Sequence, residues 1–273
     1  MKIITDKYEL QEFTKNTTKS IGFVPTMGAL HEGHISLIKK ARAENEIVIV
    51  SIFVNPTQFL AGEDFSKYPK RDIADKKICE LAGVDVVFMP DISMMYGDDE
   101  VTIKAPNVRG FILDGFTRPT HFDGVLQIVL KLFNLVRPTN AYFGRKDAQQ
   151  VILIKQMVEN LFLPINIIDC PLIRDLNGLA LSSRNAYLSD DEKKEALKIS
   201  ASLQNATKLI VGGNFNIDAI KTAMLETLKD VDVEYIEMVS QELKSIKQIE
   251  LKNTIILVAV KIGSTRLIDN LWI

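Results

Sequence analysis

Two histidines stand three residues apart in a glycine-containing segment, VPTMGALHEGH, which covers residues 24–34. A short apolar run over 20–24 predicts a strand before this segment, and Leu37, Ile38 and Ala41 at helical spacing predict a helix after it. Glycine lets the main chain approach a ligand closely, and the start of a helix attracts anions. Imidazoles at this spacing near a helix start can face the same way. The pattern therefore predicts a phosphate-binding site that stabilises charge during attack on a phosphoryl group.

His31 and His34 admit two other interpretations. The pair could hold a metal ion, although zinc sites usually have three or four ligands and His121 is the one remaining histidine. The second histidine also comes one residue too early for the His-Glu-x-x-His pattern of zinc proteases. Both rings could instead have a structural role in the turn. Taken alone, the segment favours phosphate binding and leaves metal binding and a structural role open.

Gln58 follows a second predicted strand, 47–54, whose β-branched residues form a nearly continuous apolar run. Asn55 and Pro56 give a turn signal between the strand and the glutamine. An amide at the carboxyl edge of a sheet can both donate and accept hydrogen bonds, which suits a substrate with hydroxyl and carboxylate groups. The alternative is a solvated loop glutamine.

A strand, a glycine, a polar cluster and a helix follow one another again in the segment YFGRKDAQQ, residues 142–150. Lys146 could reach a phosphate as a point charge, and Asp147 could cap the helix or accept a hydrogen bond from a ribose hydroxyl. In the segment GLALSSRN, residues 178–185, two serine hydroxyls and an arginine guanidinium offer a clamp for a triphosphate. The alternatives are a solvated lysine and a polar linker between domains.

The composition is that of an ordinary globular protein. Hydrophobic residues make up 47% and charged residues 25% of the 273 residues, and the formal net charge is −2. No basic excess supports nucleic-acid binding, so we expect small-molecule substrates. The two cysteines cannot build a disulfide framework and are expected to be buried thiols. No apolar run reaches about 18 residues and the N-terminus lacks an apolar signal region, so we expect no membrane association and a cytoplasmic location.

The order of the predicted elements indicates an α/β fold with two domains. Up to about residue 180, strands alternate with helices, which predicts a Rossmann-like, doubly wound parallel sheet. After residue 185, two helices and then three strands predict a smaller C-terminal α+β domain. The predicted strands of the first part are 20–24, 47–54, 85–89, 141–143 and 165–168, and its predicted helices are 34–44, 72–81, 124–136 and 147–159. The predicted helices of the second part are 189–210 and 217–228, and its predicted strands are 233–239, 254–262 and 265–271.

The segment HEGH at 31–34 resembles the HIGH signature of the nucleotidyltransferase superfamily, which includes class I aminoacyl-tRNA synthetases. The longer string PTMGALHEGH is similar to that of the pantothenate synthetase (pantoate–β-alanine ligase) family. Further strings resemble the same family in the same order: SIFVNPTQF at 51–59, the segment 142–150, and GLALSSRN, the counterpart of the synthetase KMSKS loop. The chain departs from the family pattern at Arg145, where a glutamate is usual, and at Lys70, where an arginine is usual.

The resemblance implies a two-step, ATP-dependent reaction in pantothenate and coenzyme A biosynthesis. The carboxylate of (R)-pantoate would attack the α-phosphorus of ATP, which gives pantoyl adenylate and Mg²⁺-pyrophosphate. The amine of β-alanine would then attack the adenylate, which gives pantothenate and AMP. The resemblance also implies ATP and Mg²⁺ as ligands and a homodimer. Residues 1–180 would bind ATP and pantoate, and residues 181–273 would form a lid that closes to protect the adenylate from water.

Roles for individual residues follow from the same resemblance. The groups that stabilise phosphate charge and act catalytically would be His31, His34, Lys146, Ser182, Ser183 and Arg184. The ATP site would consist of Met27, Gly28, Ala29, Leu30, His31, Glu32, Gly33, His34, Gly144, Arg145, Lys146, Asp147, Ile173, Leu181, Ser182, Ser183 and Arg184. Gln58 and Gln150 would hold pantoate, and Asp75 would lie near Mg²⁺. His121, in the string RPTHFDGV at 118–125, could shape the acyl pocket or be structural.

Two other functions remain alternatives. A cytidylyl- or adenylyltransferase that acts on a phosphorylated acceptor would use the same phosphate-binding segments. A catalytically inactive nucleotide-binding scaffold would retain the fold, but the intact phosphate-binding side chains disfavour it. The pair Gln58 and Gln150 is the feature that separates activation of an acid from other nucleotidyl transfer.

Overall fold

Six parallel strands form the sheet of the first of two units in a computed structural model of the chain, which describes residues 1–273. The first unit comprises residues 1–145 and 149–171, and the second comprises residues 146–148 and 172–273. The strands of this sheet are β1 (Lys2–Ile4), β2 (Ile21–Thr26), β3 (Ile47–Ile52), β4 (Val86–Phe88), β5 (Asn140–Gly144) and β6 (Asn166–Cys170). The helices that accompany it are α1 (Lys7–Lys15), α2 (Glu32–Glu44), α3 (Asp72–Leu81), α4 (Ile92–Met95), α5 (Asp114–Thr117), α6 (His121–Val136) and α7 (Ala148–Asn160).

The strand order β1-β4-β3-β2-β5-β6 reverses direction at the middle of the sheet. From β2 the chain proceeds outward through β3 to β4, and it then returns to the other side of β2 with β5 and β6. In open α/β sheets, ligands bind at the carboxyl ends of the strands beside such a reversal. The predicted Rossmann-like, doubly wound parallel sheet is thus confirmed, and the segment after β2 lies where a ligand is expected.

Side chains of β3 alternate between two apolar layers, which explains the nearly continuous apolar run in the sequence. Ile47 and Ile49 share one layer with buried residues of α6 and α7. Val48 and Val50 share the other layer with buried residues of α2 and α3. Because helices cover both faces, the carboxyl edge of the sheet is where loops can present polar side chains to a ligand.

The first strand and the first helix, β1 and α1, are missing from the sequence-based prediction. β1 has three residues and only Ile4 is buried, so its apolar signal is weak. α1 begins after Asp6, whose carboxylate accepts hydrogen bonds from the main-chain N–H groups of Tyr8 and Glu9. This N-cap is visible in the sequence, but Leu10 is the one apolar side chain of α1 that is buried, and the helical period is correspondingly faint.

Two helices and a three-stranded antiparallel sheet form the second unit, as the sequence predicts. They are α8 (Asp190–Val211), α9 (Ile217–Thr227), β7 (Asp232–Ser240), β8 (Thr254–Ile262) and β9 (Thr265–Trp272). α8 begins with a capping box of Ser189 and Glu192, and its Ile199 shares an apolar core with Val258 and Val260 of β8. No helix in either unit combines the length and the apolar character needed to cross a lipid bilayer.

The structural division between the units falls after Pro171, whereas the sequence-based domain limit lies after residue 180. The short segment 146–148 also belongs to the second unit. The assignment of ATP and pantoate binding to 1–180, and of closure to 181–273, stays a prediction.

Gly124 on α6 lies against the main chain of the turn that contains Thr57 and Gln58. A Cβ atom at this position would lie 2.3 Å from the Thr57 carbonyl oxygen and 2.7 Å from the Gln58 nitrogen. Main-chain atoms cannot move aside as the end of a flexible side chain can. We therefore expect Gly124→Ala to lower the free energy of unfolding by about 3 kcal/mol, measured by denaturation followed by circular dichroism.

Gly97→Ala is the matched control for this substitution. The added Cβ would lie 3.7 Å from the nearest Glu100 side-chain oxygen, an ordinary van der Waals contact, so stability should be unchanged. Equal stability of the two variants would contradict the close approach of α6 to the turn.

Candidate active site

The turn after β2, residues 27–30, has a left-handed backbone at two successive positions. Gly28 and Ala29 have φ angles of +86° and +50°. Glycine adopts this region freely, whereas alanine is strained there. The Thr26 hydroxyl donates to the Ser51 carbonyl oxygen at 2.7 Å and accepts from the Gly28 N–H at 3.2 Å. The strand therefore leads directly into a tight turn that side-chain hydrogen bonds support.

Asp75 on α3 is 1% exposed, and its carboxylate faces this turn. One oxygen accepts from the Ala29 N–H and the other from the Leu30 N–H, each at 2.8 Å. The resemblance implies that Asp75 lies near Mg²⁺, but both of its oxygens already accept main-chain hydrogen bonds. No group of three His, Cys, Asp or Glu side chains in the chain could hold a metal ion. The geometry places Asp75 against the turn, and its position near Mg²⁺ stays a prediction.

His31 and His34 lie at the start of α2, and their ring centroids are 4.1 Å apart. His31 is the N-cap, and its Nδ1 accepts from the Gly33 N–H at 3.1 Å. Nδ1 of His34 accepts from the His31 N–H at 3.3 Å. A neutral imidazole has one N–H and one acceptor nitrogen, so in the neutral form both rings carry their proton on Nε2.

Two imidazole N–H donors beside the start of a 13-residue helix make a polar surface suited to an anion. The helix start contributes the positive end of the helix dipole, which attracts negative charge. Glu32 is exposed in the first turn, whereas Leu30 is buried below it. The apolar residue of the segment is thus buried, whereas both histidines are partly exposed.

Gln58 ends the 3-10 turn Pro56–Gln58 that follows β3, and hydrogen bonds fix the orientation of its side-chain amide. Its Oε1 accepts from Nδ2 of Asn55 at 3.0 Å, and its Nε2 lies 3.1 Å from Sδ of Met27. Asn55 is itself buried, and its Oδ1 accepts from the Tyr96 hydroxyl at 2.6 Å. Gln58 is thereby held as a hydrogen-bond donor toward Met27 in the turn.

His121 at the start of α6 is buried and holds the main chain of Gln58. Its Nδ1 lies 2.7 Å from the Gln58 carbonyl oxygen, and its Nε2 lies 3.0 Å from Nη1 of Arg118. Arg118 can only donate, so Nε2 is the acceptor and Nδ1 carries the proton. Burial and the neighbouring Arg118 charge lower the pKa of His121 to about 4. Glu63 pairs with Arg118 at 2.6 Å and offsets its charge.

Strand β9 of the second unit holds both segments that carry the other predicted phosphate ligands. Asn270 donates from Nδ2 to the Lys146 carbonyl oxygen at 2.8 Å. Its neighbour Asp269 is 3% exposed and accepts from both terminal nitrogens of Arg174, at 2.6 and 2.8 Å. Such a two-point arginine–carboxylate pair fixes geometry as well as charge, so it anchors the segment that begins at Arg174.

The segment 173–187 forms one ordered loop in this unit. The Leu181 N–H donates to the Ile173 carbonyl oxygen at 3.0 Å. The Ser182 hydroxyl accepts from the Arg184 N–H at 3.2 Å and begins a 3-10 turn. The predicted site residues on this loop are Ile173, Leu181, Ser182, Ser183 and Arg184.

Lys146 and Asp147 form a 3-10 turn with Arg145 immediately before α7. Nζ of Lys146 lies 3.5 Å from Oδ1 of Asp147. In the first turn of α7, Gln149 is buried and donates to two main-chain carbonyl oxygens at 2.8 and 2.9 Å. Gln149 is therefore structural, while the half-buried Gln150 beside it is the residue predicted to hold pantoate.

The predicted residues thus fall into two sets, each described within its own unit. The first unit contains Met27, Gly28, Ala29, Leu30, His31, Glu32, Gly33, His34, Gln58, Gly144, Arg145 and Gln150. The second unit contains Lys146, Asp147, Ile173, Leu181, Ser182, Ser183 and Arg184. Their individual roles in binding and catalysis stay predictions.

Comparison with known proteins identifies the family. The model of the family described as Pantoate-beta-alanine ligase matches residues 2–272. The chain belongs to the pantoate–β-alanine ligase family. A pantothenate synthetase from Aliarcobacter butzleri is 58% identical over 273 residues, with both chains covered completely. One from Sulfurimonas denitrificans is 54% identical over the same length, again with complete coverage.

Solved structures agree with this assignment. The pantothenate synthetase of Thermus thermophilus is 35% identical and superposes with a TM-score of 0.96, over 100% of this chain and 99% of that one. A pantoate–β-alanine ligase from Francisella tularensis, complexed with beta-gamma ATP and beta-alanine, is 39% identical with a TM-score of 0.84, over 100% and 97% of the two chains. The chain is therefore an enzyme of the pantoate–β-alanine ligase class.

Arg145 stands where the resemblance to this ligase family leads us to expect a glutamate. It pairs with Asp169 of β6, whose other oxygen accepts from Nζ of Lys155 at 2.6 Å. Burial alone would raise the pKa of Asp169, but the hydrogen bonds and charges of Lys155 and Arg145 lower it below its usual value. An ionised Asp169 thus offsets the positive charge that Arg145 adds beside β5.

Some polar residues that support the ligase site are missing from the sequence-based prediction. Asn55 enters it only as a turn signal, although its amide fixes Gln58. Asp269 and Asn270 form a consecutive polar pair inside the otherwise apolar string LIDNLW at 267–272. A strand tolerates such a pair only where both side chains find partners, and this is the signal that could have marked them.

One nitrogen NMR spectrum can test the three histidine assignments, because the chain contains no other histidine. At pH 8 we expect ¹⁵N shifts that place the proton on Nε2 in His31 and His34, and on Nδ1 in His121. On acidification, His121 should stay neutral until about pH 4. The pKa of this histidine is near 6.5 in the unfolded chain and about 4 in the folded chain. Its contribution to the free energy of unfolding is therefore fully present above pH 6.5 and is lost as the pH falls toward 4. Titration of His121 near pH 6.5 would contradict the buried cluster.

Proposed function

We propose that the chain joins pantoate to β-alanine through a pantoyl-adenylate intermediate formed on the segment 27–34. ATP-dependent ligation of these two substrates is the activity of the family to which the chain belongs. The observation that carries the proposal is the pair of imidazole rings at the start of α2, with Nδ1 of each accepting a main-chain N–H. In the neutral form each ring then carries its proton on Nε2, and we propose that these N–H groups donate to phosphate oxygens.

In the first step, a carboxylate oxygen of pantoate attacks the α-phosphorus of ATP, and the bond from that phosphorus to the bridging oxygen of pyrophosphate breaks. Negative charge moves onto the phosphate oxygens as this happens. Donors held in position before the reaction stabilise such charge without reorganisation. We assign this role to the side chains of His31, His34, Lys146, Ser182, Ser183 and Arg184.

Substrate positioning uses the remaining predicted residues. Met27, Gly144, Asp147, Ile173 and Leu181 would cradle the nucleoside. Gln58, whose Oε1 is engaged by Asn55, offers N–H to an oxygen of pantoate, and Gln150 offers a second amide. Correct placement of a carboxylate beside the α-phosphorus supplies much of the rate, because two reactants no longer have to meet in solution.

In the second step, the neutral amine of β-alanine attacks the acyl carbon of the adenylate, and AMP leaves. A carboxylate is a poor acylating agent because oxide is a poor leaving group, whereas AMP is a good one. The Francisella tularensis relative, complexed with beta-gamma ATP and beta-alanine, supports binding of both substrates by one chain of this family. Closure of the second unit would protect the adenylate from water.

Mg²⁺ enters this scheme with ATP. No group of three His, Cys, Asp or Glu side chains forms a metal cage built by the protein alone, and both oxygens of Asp75 accept main-chain hydrogen bonds. Mg²⁺ commonly binds substrate phosphates and keeps several waters, so a complex of Mg²⁺ with ATP is the form we propose as the substrate.

We also propose a cytoplasmic homodimer. Its support is the exposure of apolar side chains in one segment, where Val101, Val108 and Phe116 are 88%, 72% and 76% exposed. Exposed apolar surface is a mark of contact surfaces when it is contiguous. Both cysteines are free and buried, and burial raises the pKa of the Cys79 thiol to about 12, which is compatible with a reducing compartment.

Exchange of label between pyrophosphate and ATP tests the first step. With unlabelled ATP and pantoate present and β-alanine absent, the wild-type chain should form pantoyl adenylate and, by the reverse reaction, convert labelled pyrophosphate into labelled ATP. His34→Ala should slow this exchange about 10²–10³-fold, because it removes a donor to the transition state. The control is Lys39→Ala, an exposed position on the same helix, which should exchange at the wild-type rate.

Different outcomes would reject different parts of the proposal. Exchange by His34→Ala at the wild-type rate would reject the role of that ring. ATP binding without exchange, and without AMP formation when β-alanine is added, would favour an inactive nucleotide-binding scaffold. Transfer of the nucleotide to a phosphorylated acceptor, with no reaction of pantoate, would favour a nucleotidyltransferase.

A further inference from the structure

Asp75 is a buried carboxylate that pairs with main-chain N–H groups. It is 1% exposed in the first turns of α3, and its hydrogen-bond partners are the Ala29 and Leu30 amides at 2.8 Å. Hydrogen bonds to a charged group are stronger than those between neutral groups, and the start of α3 also favours a negative charge. These contacts therefore stabilise one conformation of the 27–30 turn.

The turn needs such a partner because its conformation is unfavourable by itself. Ala29 has φ +50°, and a non-glycine residue held in this region is strained. Ala29 and Leu30 are also buried, so without an acceptor their N–H groups would be left unpaired away from water. Two successive N–H groups on a left-handed turn form a concave anion site, and Asp75 fills it from within the protein.

The position of the turn decides where the two histidines stand. Leu30 is followed directly by His31, the N-cap of α2, and the ring of His34 accepts from the His31 N–H. A shift of the Ala29 and Leu30 amides would therefore move the first turn of α2 and the two rings with it. The close fit of the turn is visible at Gly28, where a Cβ would lie 3.1 Å from an oxygen of Asp75.

We propose that Asp75 is a positioning residue for nucleotide binding: by accepting the Ala29 and Leu30 amides it sets the 27–34 segment in its ATP-binding conformation. This inference rests on the proposed function, in which that segment contacts ATP. It differs from a role as a Mg²⁺ ligand, because a positioning residue acts on the protein whether or not the metal is present.

The presence or absence of Mg²⁺ separates the two roles. The variant is Asp75→Asn, which keeps one oxygen acceptor and the side-chain size. The matched control is Asp72→Asn, which removes the same charge from the first turn of the same helix at an exposed position. ATP affinity of each chain is measured by calorimetry, without pantoate, once with excess Mg²⁺ and once with EDTA.

For Asp75→Asn we expect ATP to bind about tenfold more weakly in both conditions, which corresponds to about 1.4 kcal/mol. Hydrogen exchange at the Ala29 and Leu30 amides should become faster in the same variant, with Asp72→Asn like the wild-type chain in both measurements. Should Asp75→Asn fail to fold, Asp75→Glu keeps the charge but displaces it, and the same weakening in both conditions is expected.

A loss of affinity confined to the Mg²⁺ condition would overturn the positioning role and favour a metal contact. Unchanged affinity in both conditions, or an equal loss in Asp72→Asn, would also overturn it. Absence of ATP binding by the wild-type chain would reject the proposed function itself, so the two failures are distinguishable.

Discussion

The carboxylate of Asp75 accepts two successive main-chain hydrogen bonds and thereby holds the turn next to which we propose that ATP binds. A parallel sheet whose strand order reverses at β2 puts the carboxyl end of that strand at a ligand-binding edge. To use this edge, the chain must turn sharply enough to begin a helix with its N–H groups toward the ligand. Gly28 and Ala29, both in the left-handed region, make that turn. Asp75 accepts hydrogen bonds from the buried N–H groups of Ala29 and Leu30. In our proposal, the orientation of both histidines depends on this arrangement.

In the second unit, buried polar side chains also hold the segments that carry predicted site residues, but here these side chains lie on a strand instead of a helix. Asp269 and Asn270 on β9 hold Arg174 and the Lys146 carbonyl, so neighbouring positions of one strand fix two segments that are distant in sequence. In both units, side chains that are not themselves predicted to contact substrate form hydrogen bonds that hold the segments predicted to contact it. Buried polar groups of this kind are costly unless they are paired, and here the pairing itself defines the site.

Much of the fold follows from the sequence because its elements have strong periodic signals. β3 and α6 are apolar enough to be predicted to within a few residues, while β1 and α1 bury little and are missed. The sequence predicts His31, His34 and Gln58 as site residues because of their side-chain types and their positions directly after strands. The resemblance places Asp75 near Mg²⁺, but the sequence does not show that its carboxylate faces the Ala29 and Leu30 amides. The partners of Asn55, Asp269 and Asn270 likewise depend on tertiary contacts between distant segments, which local patterns do not encode.

Activation of pantoate at the α-phosphorus of ATP is tested most directly by following the carboxylate oxygen. Pantoate labelled with ¹⁸O in both carboxylate oxygens is converted completely with ATP and β-alanine, and the products are analysed by mass spectrometry. An adenylate route predicts one ¹⁸O atom in the phosphate of AMP and one in the amide carbonyl of pantothenate, because the attacking oxygen leaves with AMP. Unlabelled AMP together with ¹⁸O in inorganic phosphate or pyrophosphate would contradict attack at the α-phosphorus.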